Sequence, residues 1–336
     1  MKLIKGIKQN ISLKDYTTFK IGGKAKYFIE IKNLKELKQV LQWAKDNHLP
    51  FFILGNGSNV LFSDDGYRGI VIKINNPTLK KNNQSVSWRT ILVGAGLSLG
   101  EFLQKCVRNN WVGYEWLAGI PGTIGGAIYG NAGAFGNETK NFVKKVIALN
   151  PKKPASTRGA RRREAGFQIK HYSLSQCKFG YRESVFKKNK DIIWEAELKV
   201  KKGKKQDIQK NIQENWQYKI QRQMFRYPSA GSVFKNIIIK ETSYDQFYDK
   251  KNQTVKIKNQ IIPVKGGKVS AGWFIEKCGL KGKIHGGAKI SDFHTNVIIN
   301  FKKAKAKNVL FLINLMKKSV WKKFKIQLRE EIIIVR

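Results

Sequence analysis

Two glycine-rich segments have the spacing best suited to binding chemistry in this chain. The first runs over residues 55–59 (GNGSN) and the second over residues 119–127 (GIPGTIGGA), each beside a run of apolar residues. Glycine lets a phosphate approach backbone N–H groups, and it adopts the left-handed turns that point several N–H groups at one anion. Two such loops predict a double anion cradle that fits a diphosphate, although either loop alone could be an ordinary turn.

Three smaller clusters carry residues that could act on a substrate. Arg182 stands beside aromatic residues, which suits bidentate capture of a carboxylate, with a structural ion pair as the alternative. Ser232 follows a glycine but lacks the second glycine of a nucleophile elbow, so a hydrolase is not favoured and a turn or strand residue is the alternative. Glu330 and Glu331 begin an apolar final strand, where alternation points them to opposite sides.

Several other chemistries are not indicated by the motifs. No Gly-x-Gly-x-x-Gly follows a strand, so a Rossmann dinucleotide site is not expected, and Walker and His-Glu-x-x-His motifs are also missing from the sequence. The four histidines have no ligand spacing, so we expect no catalytic metal. Three scattered cysteines are too few for a disulfide framework, and Cys106 and Cys278 are predicted to be core thiols.

The charge balance is strongly basic but diffuse. The formal net charge is +42, mostly from lysines spread along the whole chain. Without a nucleic-acid-binding motif to concentrate it, this surplus predicts a solvated surface that favours small anionic ligands, and no nucleic-acid partner. The sequence has neither a signal peptide at its start nor a run of about 18 apolar residues, so we expect no membrane association and a cytoplasmic location.

Apolar periodicity predicts the elements that position these clusters. Helices are predicted over residues 34–44, 102–107, 205–219, 271–278 and 309–316. Strands are predicted over residues 27–31, 51–54, 70–74, 145–149, 192–200, 296–301 and 331–335. Residues 154–168 use arginine where the chain elsewhere prefers lysine, which predicts an exposed, mobile insert that the chemistry does not need; a basic phosphate-binding patch is the alternative.

Together these segments resemble the UDP-N-acetylenolpyruvoylglucosamine reductases, the flavin enzymes of peptidoglycan precursor synthesis. The resemblance covers nearly the whole chain, and six motifs occur in the order expected. They are residues 16–23, 54–59, 118–127 with 131–134, 181–184, 228–236, and 271–272 with 279–282.

The resemblance implies an α+β protein with an FAD-binding fold of the vanillyl-alcohol-oxidase type in two N-terminal subdomains, followed by a C-terminal α+β substrate domain. Residues 1–75, joined by the C-terminal strand 326–336, would form the first subdomain, 76–210 the second, and 211–325 the substrate domain. The residues expected to contact the FAD pyrophosphate are Gly55, Asn56, Gly57, Ser58, Asn59, Gly119, Ile120, Pro121, Gly122, Thr123, Gly125 and Gly126.

The same resemblance implies how the site would work. NADPH would reduce the flavin and leave, and hydride from flavin N5 would then add to the terminal vinyl carbon of UDP-N-acetylglucosamine enolpyruvate. Arg182 would stabilise the charge that develops on the substrate carboxylate, Glu331 would support that carboxylate in its protonated form, and Ser232 would protonate the adjacent carbon. Residues expected to line the substrate side are Tyr181, Asn236 and His294. The chain is predicted to act as a monomer.

Some alternatives stay open at the level of sequence. Another flavoprotein of the same fold, an oxidase or dehydrogenase of an alcohol, would also use the two loops, and a basic nucleic-acid-binding protein would use the charge. Glu330 is an alternative to Glu331. Ile237 stands where the family usually has proline, and the segment between Asn236 and Ala271 is longer than in the short form of the family.

Overall fold

Seven α-helices lie in the part of the chain described by the structure, a computed structural model that covers residues 3–82, 89–154, 167–221 and 226–336. They are α1 (Leu34–Asp46), α2 (Leu99–Arg108), α3 (Ile124–Gly130), α4 (Val185–Asn189), α5 (Lys205–Gln221), α6 (Ala271–Lys277) and α7 (Ala306–Phe324). Short 3-10 turns cover Leu13–Tyr16, Glu115–Leu117, Thr139–Asn141, Ile239–Glu241 and Asp245–Phe247. No helix within these ranges is both long enough and apolar enough to cross a membrane.

The strands of the N-terminal two thirds are β1 (Lys8–Ser12), β2 (Lys24–Ile31), β3 (Phe51–Leu54), β4 (Val60–Phe62), β5 (Tyr67–Ile74), β6 (Leu79–Asn82), β7 (Arg89–Gly94), β8 (Trp111–Val112), β9 (Gly133–Ala134), β10 (Asn137–Glu138), β11 (Val143–Pro154), β12 (Phe167–Ser173) and β13 (Ile192–Lys202). The remaining strands are β14 (Ser229–Ser232), β15 (Ile237–Ile238), β16 (Tyr248–Asp249), β17 (Thr254–Ile257), β18 (Gln260–Pro263), β19 (Lys268–Val269), β20 (Ile284–His285), β21 (Ala288–Ile290), β22 (Val297–Asn300) and β23 (Ile333–Val335).

The chain packs into two compact units, and neither is a continuous stretch of sequence. The first unit contains residues 1–12, 24–57 and 66–221, and the second contains residues 13–23, 58–65 and 222–336. Each has its own hydrophobic core of buried residues. The expected division into three domains is finer than these two units and stays a prediction. That division placed most of α5 in the substrate domain, whereas α5 lies in the first unit.

Two sheets organise the first unit. One has the strand order β1-β2-β5-β3, in which β2, β5 and β3 run parallel and β1 is antiparallel to β2. The other has the order β12-β11-β13-β7-β6, and its ladders are antiparallel. Helix α1 buries Leu37, Val40 and Leu41 on one face, as its apolar period requires. Mixed parallel and antiparallel pairing with separate helices confirms the predicted α+β class.

The second unit is built around a sheet of order β14-β22-β21-β20 and the long helix α7. Its C-terminal strand β23 pairs in parallel with β4, so that Ile334 lies opposite Leu61. The long segment after Asn236 is closed at its base by pairing of β15 with β19 and carries a small antiparallel sheet, β16-β17-β18. It is thus an ordered substructure whose Val255 and Ile257 are buried in the second core.

Most elements predicted from periodicity are confirmed, although several of their bounds differ. The final strand begins at Ile333 rather than at residue 331, because residues 330–332 pair instead with the segment after β14. Cys106 is buried as expected, whereas Cys278 is only half-buried; all three cysteines are free. The predicted mobile insert at residues 154–168 lies, except at its two ends, outside the described residues.

Candidate active site

The first three residues of the first glycine loop lie against the second loop in the first unit. Gly55 directly follows β3, and a Cβ atom placed on it would lie 2.7 Å from the Thr123 Oγ1 atom. The Asn56 side chain donates a hydrogen bond from Nδ2 to the carbonyl of Gly122 at 3.0 Å. Any side chain at position 55 would therefore force the loops apart. Two loops that meet in this way can present backbone groups to one ligand, as a diphosphate site requires.

The backbone of both loops uses conformations that glycine adopts without strain. The φ angles are +61° at Gly57, +65° at Gly119 and +137° at Gly122. The second loop runs straight into α3, where the Thr123 hydroxyl caps the helix by accepting the Gly126 N–H at 3.2 Å.

The other predicted members of the second loop have different surroundings. Gly125 approaches the first unit's core so closely that a Cβ atom there would lie 2.9 Å from the Ala95 Cβ atom. Ile120 is half-buried and donates its N–H to the Leu117 carbonyl at 2.9 Å, while Pro121 is exposed. Gly125 therefore sets the packing of α3, and Pro121 is open to solvent.

The last two residues of the first loop belong to the second unit. Asn59 donates from Nδ2 to the Glu331 carbonyl at 3.0 Å, and its own carbonyl accepts the Ile333 N–H at 2.9 Å. Ser58 is half-buried between Gly57 and this anchor. The side chain of Asn59 is thus bonded to the C-terminal segment, a contact that its predicted role in binding the FAD pyrophosphate does not explain.

Arg182 occupies a tight turn with a strained backbone. Gly180 and Glu183 exchange N–H to carbonyl hydrogen bonds of 3.0 and 3.1 Å across it, and Arg182 has φ +57°. Its guanidinium donates to the Gly133 carbonyl at 3.0 Å and lies 5.4 Å from the centre of the Tyr181 ring. A non-glycine residue held in the left-handed region costs conformational energy, and such residues are concentrated at functional sites.

Asn131 joins the second glycine loop to the arginine turn. It ends α3 in the left-handed conformation, with φ +42°, and it is 0% exposed. Its Nδ2 donates to the Gly180 carbonyl at 2.8 Å and to Glu138 Oε2 at 3.1 Å, and its Oδ1 accepts the Lys140 N–H at 3.0 Å. The side chain therefore links the helix after the loop directly to the turn that carries Arg182.

Ser232 is the last residue of β14 and lies opposite Val297 of β22. The preceding Gly231 has φ +73°, and the ladder register shifts between Ser229 and Ser232, so the strand is bulged just before the serine. A bulge redirects the side chain that follows it. Ser232 is half-buried.

Asn296 fixes the backbone immediately after the serine. Its carbonyl accepts the Val233 N–H at 2.8 Å, its Oδ1 accepts the Phe234 N–H at 3.0 Å, and its Nδ2 donates to the Phe234 carbonyl at 2.8 Å. The residue is 2% exposed. Sequence reasoning missed it, because a single asparagine before an apolar strand has no distinguishing pattern.

The C-terminal segment brings Glu331 beside Ser232. The Glu331 N–H donates to the carbonyl of Val233, the residue after Ser232, at 2.7 Å. Phe234 and Glu330 form an isolated bridge, and the Glu330 carboxylate pairs with Lys317 Nζ at 2.9 Å. The structure thus brings Ser232 and Glu331 together and gives Glu330 a cationic partner of its own.

The predicted substrate residues Asn236 and His294 also lie in the second unit. Asn236 is exposed, and its Oδ1 accepts the Ala271 N–H at the start of α6, at 3.3 Å. His294 is half-buried in the turn that leads to Asn296, where its carbonyl accepts the Val297 N–H at 2.8 Å. Arg182 and Tyr181 belong to the first unit, so the predicted residues are drawn from both.

A cavity of about 620 Å³ lies elsewhere on the first unit. It is lined by Phe142, Val112 and Val200 with the lysines at 144, 199 and 201, and by Thr90, Gly113 and Asn141; none of its lining residues is a predicted site residue. Over the described ranges, no group of three or more His, Cys, Asp or Glu residues could hold a metal ion.

Comparison with known proteins defines the class of this chain. The model of an FAD binding domain matches residues 25–152, which include both glycine loops, and the model of the UDP-N-acetylenolpyruvoylglucosamine reductase C-terminal domain matches residues 221–335. The chain is therefore an FAD-binding oxidoreductase of α+β fold, as the sequence predicted.

Whole-chain relatives identify the family. The UDP-N-acetylenolpyruvoylglucosamine reductases of Alkaliphilus oremlandii and Carboxydothermus hydrogenoformans are each 34% identical to this chain. Each alignment covers 96% of this chain, and it covers 91% of the first relative and 92% of the second. The crystal structure of the enzyme from Thermus caldophilus superposes with a TM-score of 0.69 at 28% identity, covering 97% of this chain and 98% of that one. The chain belongs to the UDP-N-acetylenolpyruvoylglucosamine reductase family.

Proposed function

We propose that this protein reduces UDP-N-acetylglucosamine enolpyruvate to UDP-N-acetylmuramate, with NADPH as the electron donor and FAD as the bound cofactor, in the cytoplasm and as a step of peptidoglycan precursor synthesis. One observation carries the proposal furthest. The Glu331 N–H is bonded to the carbonyl that follows Ser232, so that the two residues expected to act on the enolpyruvyl group are neighbours in the second unit.

The glycine loops fit the diphosphate of FAD. The close approach of Gly55 to Thr123 leaves no room for a side chain. Gly57, Gly119 and Gly122 all have positive φ, which glycine adopts without strain. We assign the pyrophosphate contacts to the two loops as a pair. FAD, when bound, supplies the hydride that it has received from NADPH.

Arg182 and Glu331 bind the substrate carboxylate in this proposal. When the terminal vinyl carbon gains hydride, an electron pair is left on the adjacent carbon and is delocalised into that carboxylate. A guanidinium stabilises such charge by charge-assisted hydrogen bonds, and a protonated carboxyl group does so by donating its O–H. Glu331 is preferred to Glu330, because its backbone N–H is bonded to the Val233 carbonyl, directly after Ser232.

Ser232 completes the reaction by donating its Oγ proton to the carbon that carries the electron pair. A hydroxyl is a weak acid, but the enediolate is a strong base, so the transfer is favourable once the charge has formed. The serine alkoxide regains a proton from solvent. The bulge at Gly231 and the hydrogen bonds of Asn296 to the backbone after Ser232 hold the serine at a fixed place for this transfer.

The test separates the two half-reactions by the visible spectrum of the flavin. Purified protein is expected to be yellow, to be bleached by NADPH, and to regain its colour when the UDP-enolpyruvyl sugar is added. Ser232→Ala is expected to keep bleaching by NADPH but to slow the return of colour by about 10²–10⁴-fold, the usual contribution of a general acid. Ser243→Ala, an exposed serine of the second unit, is the matched control and should behave as wild type.

Three outcomes would contradict the proposal. A colourless protein that gains no activity on addition of FAD would exclude the flavin reaction. Equal loss of both half-reactions in Ser232→Ala would exclude the proton-donor role. Vigorous oxygen consumption with an alcohol, and no response to the sugar nucleotide, would favour an alcohol-oxidising flavoprotein of the same fold.

A further inference from the structure

Helix α5 makes two polar contacts with the segment that leads into the second glycine loop. Asn215 Nδ2 donates to the Glu115 carbonyl at 3.1 Å, and Lys219 Nζ donates to the Ala118 carbonyl. Residues four apart share one face of a helix, so a single face of α5 holds both ends of the 115–118 segment. Gly119, the first residue of the loop, follows directly.

Lys219 is an unusually placed lysine. It is 7% exposed, and its Nζ lies 5.5 Å from the centre of the Phe135 ring. Within the described part of the chain, no carboxylate lies within ion-pair distance of it, and its hydrogen-bond acceptor is the Ala118 carbonyl. Lysine is almost never buried unless it is paired, because the charge is expensive to remove from water. An apolar side chain of similar length would fill this space at lower cost to folding.

We propose that Lys219 is a cofactor-positioning residue, whose ammonium orients the Ala118 carbonyl and places a positive charge behind the loop that binds the FAD diphosphate. The inference rests on the proposed assignment of the glycine loops to that diphosphate. A buried cation is only weakly screened by water, so it attracts the diphosphate over several ångströms, and it also fixes the direction in which the loop leaves residue 118.

The protonation state of Lys219 then matters for cofactor affinity. Burial lowers the pKa of its ammonium to about 8. The other ionisable groups on α5 are Lys205, Asp207, Lys210, Glu214 and Tyr218. Those on the elements packed against it are Glu115 in the 3-10 turn and Glu101, Lys105, Cys106 and Arg108 on α2. Glu115 is bound through Oε2 to the Gly113 N–H at 2.9 Å. FAD affinity should fall as the pH rises through 8, because the free protein loses the charge that attracts the diphosphate.

The experiment measures the FAD dissociation constant of the full-length protein, stripped of cofactor, by flavin fluorescence between pH 6.5 and 9.5. Lys219→Met should weaken binding by about tenfold at pH 7, a change of about 1.4 kcal/mol, because a buried charge near the diphosphate is lost. Lys219→Arg should restore binding and remove the change around pH 8, because arginine stays charged. Lys210→Met, an exposed lysine on the same helix, is the matched control and should bind FAD as wild type does.

Two results would overturn the proposal: a Lys219→Met affinity within twofold of wild type, or a wild-type affinity that does not change between pH 7 and 9. If Lys219→Met does not fold, as circular dichroism would report, the pH comparison of wild type with Lys219→Arg decides. Gly55→Ala separates this inference from the loop assignment. Weak binding by Gly55→Ala with normal binding by Lys219→Met removes only the role of Lys219, whereas normal binding by both removes the loop assignment.

Discussion

Asn131 illustrates how a single side chain can hold the arginine turn in place. It makes hydrogen bonds to three different backbone and side-chain partners while fully buried, and it adopts a left-handed conformation that asparagine tolerates better than most residues. One of those partners is the Gly180 carbonyl in the arginine turn. The strain of Arg182 at φ +57° is therefore maintained by contacts outside its own turn.

Replacement of Asn131 should separate the contribution of its hydrogen bonds from the cost of its left-handed backbone. We expect Asn131→Ala to lower the free energy of unfolding by about 2–4 kcal/mol, since buried partners lose their hydrogen bonds and alanine is strained at positive φ. Asn131→Gly should lose less, because only the hydrogen bonds are removed. Urea denaturation of both variants measures the difference; values within about 0.5 kcal/mol of wild type for both would contradict this account.

The residues of the site differ in how readily a sequence reveals them. Arg182, Ser232 and Glu331 stand in motifs whose order along the chain is itself specific. Asn296 and Lys219 carry no such pattern, because one is an ordinary polar residue before a strand and the other is a lysine in a polar helix of a lysine-rich chain. Their importance comes from burial, which depends on tertiary contacts that no local pattern encodes.

The two glycine loops act as one element, because Thr123 of the second loop occupies space that a side chain at Gly55 of the first loop would need. Gly55→Ala should push Thr123 away and weaken FAD binding, since the Cβ atom would lie 2.7 Å from Thr123 Oγ1. Gly100→Ala in α2 is the matched control, because a Cβ there meets nothing within 4 Å, and it should stabilise the helix slightly. FAD titration of both variants tests this; equal affinities would show that the loops can separate without cost.

Elements with strong periodicity were predictable, and those set by long-range pairing were not. Helices α1, α5 and α7 repeat apolar or polar residues along one face, so their positions could be read from the sequence. The start of β23 was predicted two residues early, because residues 331 and 332 run directly into the apolar stretch but pair with the segment after β14. The sheet β16-β17-β18 was not predicted, since its strands are short and alternate with turns.

At the scale of the whole molecule, the chain passes repeatedly between the two units. Residues 13–23 and 58–65 come early in the sequence, yet they supply Phe19, Ile21 and Leu61 to the core of the second unit. A fragment that ends at residue 221 contains those apolar segments without their partners. We therefore expect the fragment 1–221 to aggregate rather than to fold as an FAD-binding domain.

The fragment is tested by expression beside the full chain, followed by size-exclusion chromatography and thermal unfolding. Aggregation of the fragment under conditions in which the full chain is a single species would support the argument. A soluble fragment that unfolds cooperatively and binds FAD as tightly as the full chain would contradict it, and it would show that residues 13–23 and 58–65 are dispensable for the first unit.

The peptide bond between Gly57 and Ser58 gives the first glycine loop a wider significance. On one side of it the loop meets Thr123, and two residues further on Asn59 holds the Glu331 carbonyl and pairs with Ile333. Under the proposed assignment of the loops to FAD, ordering of the first loop by the cofactor and ordering of the C-terminal segment that Asn59 holds are linked, and such linkage is reciprocal. Under the same assignment, we expect the C-terminus of this protein to report cofactor occupancy.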